Sequence, residues 1–191
     1  LVWIKRRTSS EPHAIYDSIR GINKQLSSDT TDAEATNSSP YEGFTAFNDN
    51  GFTVGNNGGT NRSPNDYVAW CWKAGDHDDN LPQINTEGSV DSTVSVNDEA
   101  GFSIVKYTGN GSNGATIGHG LSAAPEIILT KGLSNPTSWI FGIGGVSGFG
   151  VNDYMTLNTS NAKSSLATFY QAYSANTFQV GVSAANEMNK N

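Results

Sequence analysis

DYVAWCWKAG, residues 66–75, is the most apolar stretch of this chain and holds its only cysteine, Cys71, between Trp70 and Trp72. Read as chemistry, it sets a thiol between aromatic walls. Read as architecture, it is a core strand and makes the molecule all-β. In a strand, Tyr67, Ala69 and Cys71 share one face, and Val68, Trp70 and Trp72 share the other. Both faces are largely apolar, the pattern of a strand covered on two sides. A cysteine enclosed in this way is an inert structural thiol. The stretch is therefore expected to be a buried central strand.

Working outward, strand signals are short and frequent. They fall at Leu1–Lys5, Ala14–Ile19, Phe44–Phe47, Phe52–Gly55, Gly101–Tyr107, Glu126–Lys131, Ser138–Ile143, Asp153–Leu157 and Thr177–Val182. Asn48-Asp49-Asn50-Gly51 predicts a hairpin turn in which Asn-Gly supplies positive φ angles. No sustained helical periodicity is present. Residues 31–35 and 161–163 would make a turn or two at most. The chain has 191 residues, 21 glycines and only 15% charged residues, with 10% aromatics. That balance fits a turn-rich β protein better than a disordered one.

Two halves of the chain match each other. LVWIK, from Leu1, aligns with IILTK, from Ile127. LSSDTTDA, from Leu26, aligns with MTLNTSNA, from Met155. FTVG, from Phe52, aligns with FQVG, from Phe178. The offsets are 126, 129 and 126 residues, in the same order, which marks an internal repeat. Residues 1–75 form a first β copy and 101–191 a second. Residues 76–100 between them are expected to be an acidic linker or surface excursion. The second copy stops at Asn191, where a counterpart of YVAWCWK would begin, and the first lacks a counterpart of GFSIVKYTG. Either the chain is a piece of a longer polypeptide, as its start without Met also suggests, or the two copies share one sandwich.

The chemistry-bearing motifs are few. Net charge is −7, from 11 Lys+Arg against 18 Asp+Glu. That excludes a general nucleic-acid binder, which needs a basic face. Lys5-Arg6-Arg7 reads as a solvated segment after a strand. Gly109-Asn110-Gly111-Ser112-Asn113-Gly114 has the glycine spacing of a dinucleotide loop, but Ala115–Gly120 after it reads as a strand where that site needs a helix. Asp76-His77-Asp78-Asp79 is the densest set of oxygen ligands, a calcium candidate without the spacing of an EF-hand. His13, His77 and His119 belong to no metal-ligand pattern. Trp139, Tyr170 and Tyr173 are aromatics suited either to stacking on sugar rings or to core packing. No catalytic, cofactor-binding or metal residue is assigned, no cofactor is expected, and no run is long enough to span a bilayer.

LVWIK, SSDTTDAEAT, GFTVG, YVAWCWKAG, AGFSIVKYTGNGSNGATIGHGLSAAPEIILTK and YMTLNTSNA together resemble a domain that recurs in marine phage virion and tail-fibre-like proteins and in marine metagenomic sequences, mostly as a domain of unknown function. The resemblance covers nearly the whole chain. It implies a β-rich structural or receptor-facing module. Strand count and repeat length suggest an antiparallel β-sandwich of the jelly-roll, concanavalin-like lectin type. The expected function is a non-enzymatic virion or extracellular module, a spacer or an adhesin for cell-surface glycans. Its expected partners are other virion proteins, copies of itself in a homo-oligomer, and a host-surface glycan. The alternatives are a glycan-degrading enzyme on the same scaffold and a calcium-dependent bacterial surface lectin.

Overall fold

The computed structural model describes residues 1–37, 43–75, 83–144, 146–182 and 188–189. The described residues form an antiparallel all-β sandwich without helices. In chain order the strands are β1 (Val2–Arg6), β2 (Ala14–Tyr16), β3 (Lys24–Gln25), β4 (Ala35–Thr36), β5 (Phe44–Asn48), β6 (Gly51–Val54) and β7 (Tyr67–Cys71). They continue with β8 (Gln83–Asn85), β9 (Ser92–Asn97), β10 (Phe102–Tyr107), β11 (Ala115–Gly118), β12 (Ile127–Thr130) and β13 (Ile140–Ile143). The last are β14 (Asp153–Thr156), β15 (Ser164–Ser165), β16 (Tyr170–Tyr173) and β17 (Thr177–Val180).

The sequence repeat is a repeat of strand register. Trp3 lies opposite Ile15 and Ile4 opposite Ala14. At the same offset, Leu129 lies opposite Phe141 and Thr130 opposite Ile140. Lys24 pairs with Thr36 and Gln25 with Ala35; 129 residues on, Asp153 pairs with Ser165 and Tyr154 with Ser164. The hairpin β5–β6 has an irregularity between Phe44 and Ala46, and β16–β17 has the same one between Tyr170 and Ala172. Side chains repeat too. The His13 amide donates to Asp29 Oδ1 at 2.9 Å, and the Trp139 amide donates to Asn158 Oδ1 at 2.9 Å. Lys24 faces Glu34 at 3.5 Å. In the second copy the charges exchange places, with Lys163 2.6 Å from Asp153.

Each copy buries its own core. In the first, Val2, Ile4, Ala14 and Tyr16 of the sheet β2-β1-β7 meet Phe44 of the hairpin β5–β6. In the second, Ile140 of the sheet β12-β13-β14-β15 meets Ile117, Tyr170, Phe178 and Val180 of the sheet β11-β17-β16. The two cores solve one volume problem differently. Tyr16 stacks on Phe44 with centroids 4.9 Å apart. At the position equivalent to Tyr16 stands Gly142, where an added Cβ would come within 2.3 Å of the Tyr170 ring. The aromatic bulk given up at one position is thus taken by the ring facing it, as close packing demands. A third cluster, Ile15 and Leu26 with Trp139, flanked by Leu1, Trp3 and Leu133, joins the copies.

Three expectations need correction. First, β7 is not a central strand. It pairs with β1 alone among the described strands, at one edge of its sheet, and Trp70, Cys71 and Trp72 are exposed. An apolar run on both faces predicts double coverage, yet only the Tyr67 side reaches a core. Second, residues 83–100 are not linker: β8 and β9 form a sheet with β10. Alternation of small residues (Ser92 and Val94 buried) carries β9 without large apolar side chains. The remainder of that segment, 76–82, lies outside the described residues. Third, the hairpin β5–β6 forms where expected, but among the described residues none other than glycine has positive φ and Gly51 is not among the glycines that do.

Candidate functional site

The chemistry-bearing residues singled out from the sequence do not converge. Asp76-His77-Asp78-Asp79 lies outside the described residues. Among the described residues, no group of three or more His, Cys, Asp or Glu is placed to hold a metal ion. Trp139 and Tyr170 are buried in cores, and Tyr173 packs against the second, so none of the three offers a free ring face for a sugar. The glycine-rich loop 109–114 leads into β11, and its polar groups are occupied. Asn189 Oδ1 accepts from the Asn110 amide, its Nδ2 donates to Asn110 Oδ1 and the Ser112 carbonyl, and its own carbonyl accepts from the Gly111 amide. The Lys5 and Arg6 side chains are engaged locally. Lys5 Nζ donates to the Glu11 carbonyl, Arg6 bonds Glu11 and Asn65, and the Arg7 amide donates to the Asp66 carbonyl.

His119 is 2% exposed. Its Nδ1 accepts from the Leu121 amide at 3.1 Å, so the proton sits on Nε2, which donates to the Ser174 carbonyl at 3.1 Å. Burial lowers its pKa from the usual 6.5, because a charged ring would lose its hydration and set a second N–H against the Leu121 amide. A base with a lowered folded-state pKa stabilises the fold above its unfolded pKa. That stability is lost as pH falls from about 6.5 through the lower folded value. Chemical denaturation midpoints should therefore drop below about pH 6.5, and His119→Gln should flatten that part of the profile.

What the structure does assemble at the surface is a strip of aromatic rings. Trp3 on β1 lies opposite Trp70 on β7, with ring centroids 5.9 Å apart at 64°. Trp72 lies 6.4 Å from Trp3 and stacks on Phe102 at 6.3 Å and 19°. His13 closes the other end: its Nδ1 accepts from Trp3 Nε1 at 2.8 Å, and desolvation lowers its pKa. Trp70 and Trp72 are 44% and 40% exposed. Two edge-anchored, partly exposed indoles offer stacking and apolar contact, the chemistry of a recognition surface. The signal was present in the spacing of Trp70 and Trp72 on one face. It does not by itself distinguish the two cases, because an open and a covered apolar strand look alike in sequence.

Cys71 adjoins this strip on the opposite face of β7, exposed. A maleimide or aromatic disulfide reagent should label it stoichiometrically in the native state. Labelling only after denaturation would return it to a core.

A cleft of about 300 Å³ opens beside β12 and β13, lined by Thr130, Thr137, Ser138 and Thr156 hydroxyls and by Tyr154 and Phe169. Pro136, Ile140 and Met188 also form its wall, so its lining mixes hydroxyl and apolar groups.

Fold and surface thus define a class: a β-sandwich built from two copies of one strand pattern, with an aromatic strip at a sheet edge. The chain belongs to the family described as a domain of unknown function, DUF7483, whose model matches residues 1–191. No curated protein and no solved structure matches it.

Proposed function

We propose that this chain is a non-enzymatic structural module of an extended surface assembly, a phage fibre or virion appendage, that works as a spacer and presents an aromatic strip for adhesion. The observation that carries the structural part is the identity of register between the copies. Repeating one strand pattern and joining successive copies through a shared interface is how solenoid-like and fibrous arrays extend. The low charge, the many turns and the resemblance to tail-fibre-like proteins support the virion setting.

The adhesive part rests on the exposed Trp70 and Trp72, whose faces suit the apolar side of a sugar ring. A glycan array probed with the intact chain, with and without EDTA, tests it. Binding lost in Trp70→Ala/Trp72→Ala and kept in EDTA supports an adhesin at the strip. Binding lost in EDTA instead favours a calcium lectin using residues 76–79. No binding under either condition removes the adhesin and leaves the spacer. Release of reducing ends from a polysaccharide panel would overturn the non-enzymatic reading.

A further inference from the structure

The register repeat predicts what belongs on a surface that stands open. In the first copy, the outer edge of β1 is closed by β7. The Leu1 ammonium donates to the Trp72 carbonyl at 2.8 Å and the Trp72 amide to the Leu1 carbonyl at 2.9 Å. Leu1, Trp3 and Lys5 therefore turn their backbone groups toward β7, since these alternate along an antiparallel ladder. In the second copy the equivalents are Ile127, Leu129 and Lys131. The intervening residues of β12 serve β13, as in the first copy. Among the described residues nothing pairs with the other edge of β12.

The side chains point the same way. Ile127 is 56% and Leu129 43% exposed. They stand where Leu1 and Trp3 stand, and Trp3 is covered by the rings of Trp70 and Trp72. An open, apolar sheet edge is an acceptor for an added strand. The occupant is set by the one edge of this molecule with the same register: an antiparallel strand carrying tryptophans two residues apart. The first copy's own β1–β2 loop is a poor substitute for the joint that covers the seam. It carries Arg7 and His13 where the second copy has Leu133 and Trp139.

We propose that the free edge of β12 is a receptor for a β7-type strand donated by a further copy of this repeat, seated so that the donor's first tryptophan lies opposite Leu129 and its second opposite Ile127. The inference rests on the registers and not on the virion setting, so either can fail without the other. The test adds a fluorescent peptide with the sequence of residues 66–74, carrying Cys71→Ser, to the whole 191-residue chain. Anisotropy should rise saturably, and hydrogen exchange at the Ile127 and Leu129 amides should slow about tenfold or more. Leu129→Glu, at an exposed position that leaves the fold intact by circular dichroism, should abolish binding. A peptide of scrambled order should not bind. The proposal is overturned by absence of binding to the wild-type chain, by equal binding to Leu129→Glu, or by altered exchange at β1 instead of β12, which would mean that the peptide displaces β7.

Discussion

Arg20→Ala should cost about 3–5 kcal/mol, the penalty for leaving a buried charge without its partner. Arg20 and Asp17 are both nearly inaccessible, with side chains 5% and 6% exposed. Arg20 Nε donates to Asp17 Oδ2 at 2.5 Å, one terminal nitrogen reaches the Lys24 carbonyl and Glu34 Oε2, and the other reaches the Ile15 carbonyl. Asp17 Oδ1 accepts from the Ile19 and Arg20 amides. One guanidinium thus ties β2, the following turn, β3 and Glu34 beside β4. Alanine would leave two carboxylates and two carbonyls facing a space too enclosed for bulk water. The measurement is the guanidinium chloride midpoint at unchanged slope. The double variant Asp17→Asn/Arg20→Leu should be less destabilised than Arg20→Ala. Its amide keeps the two backbone bonds, and the uncompensated charge at position 17 is gone. If the double variant is as unstable as the single, packing and not charge is what Arg20 supplies.

Trp139→Ala should cost a similar 3–5 kcal/mol, the range for removing a large buried aromatic. Trp139 is 6% exposed and fills the seam against Ile15 and Leu26 of the first copy. Its Nε1 donates to the Ser27 carbonyl at 2.7 Å. Around it, the Thr137 amide donates to the Thr31 carbonyl at 2.8 Å and the Glu34 amide to the Leu133 carbonyl at 2.9 Å. Lys131 Nζ also reaches the Thr31 carbonyl, at 3.2 Å. The indole is the apolar centre of an otherwise polar joint, so its loss should uncouple the copies as well as weaken them. Thermal unfolding followed by near-ultraviolet dichroism should change from one transition to two. Trp139→Phe should keep most of the packing and lose about 1 kcal/mol for the unpaired carbonyl. A single transition in Trp139→Ala, with the wild-type midpoint, would mean that the seam contributes nothing.

Strand positions and the repeat were readable because both live on short-range patterns. Alternation picks out Val2, Ile4, Phe178 and Val180, and block matching picks out the offset without any knowledge of pairing. Burial was not readable for the stretch 66–75. Its two apolar faces are equally compatible with a covered strand and with an edge whose tryptophans stay open, and only the pairing of β7 with β1 decides between them. Short strands such as β3, β4 and β15, two residues each, have no periodicity of their own. They exist because the register of their neighbours positions them. The acidic stretch concealed β8 and β9 because small and polar residues, among them Ser92 bonded to the Gly118 carbonyl, fill a thin layer that needs no bulk.

The central claim is that both copies fold with one register, and through-space proton contacts report register directly. Trp3–Ile15 and Leu129–Phe141 are non-hydrogen-bonded antiparallel pairs, whose Cα atoms approach to about 4.5 Å. Nuclear Overhauser spectra of the intact chain should show strong Hα–Hα cross-peaks for both pairs. A cross-peak between Trp3 and Ile15 in the first copy, with Leu129 contacting a residue one place away from Phe141 in the second, would contradict the account.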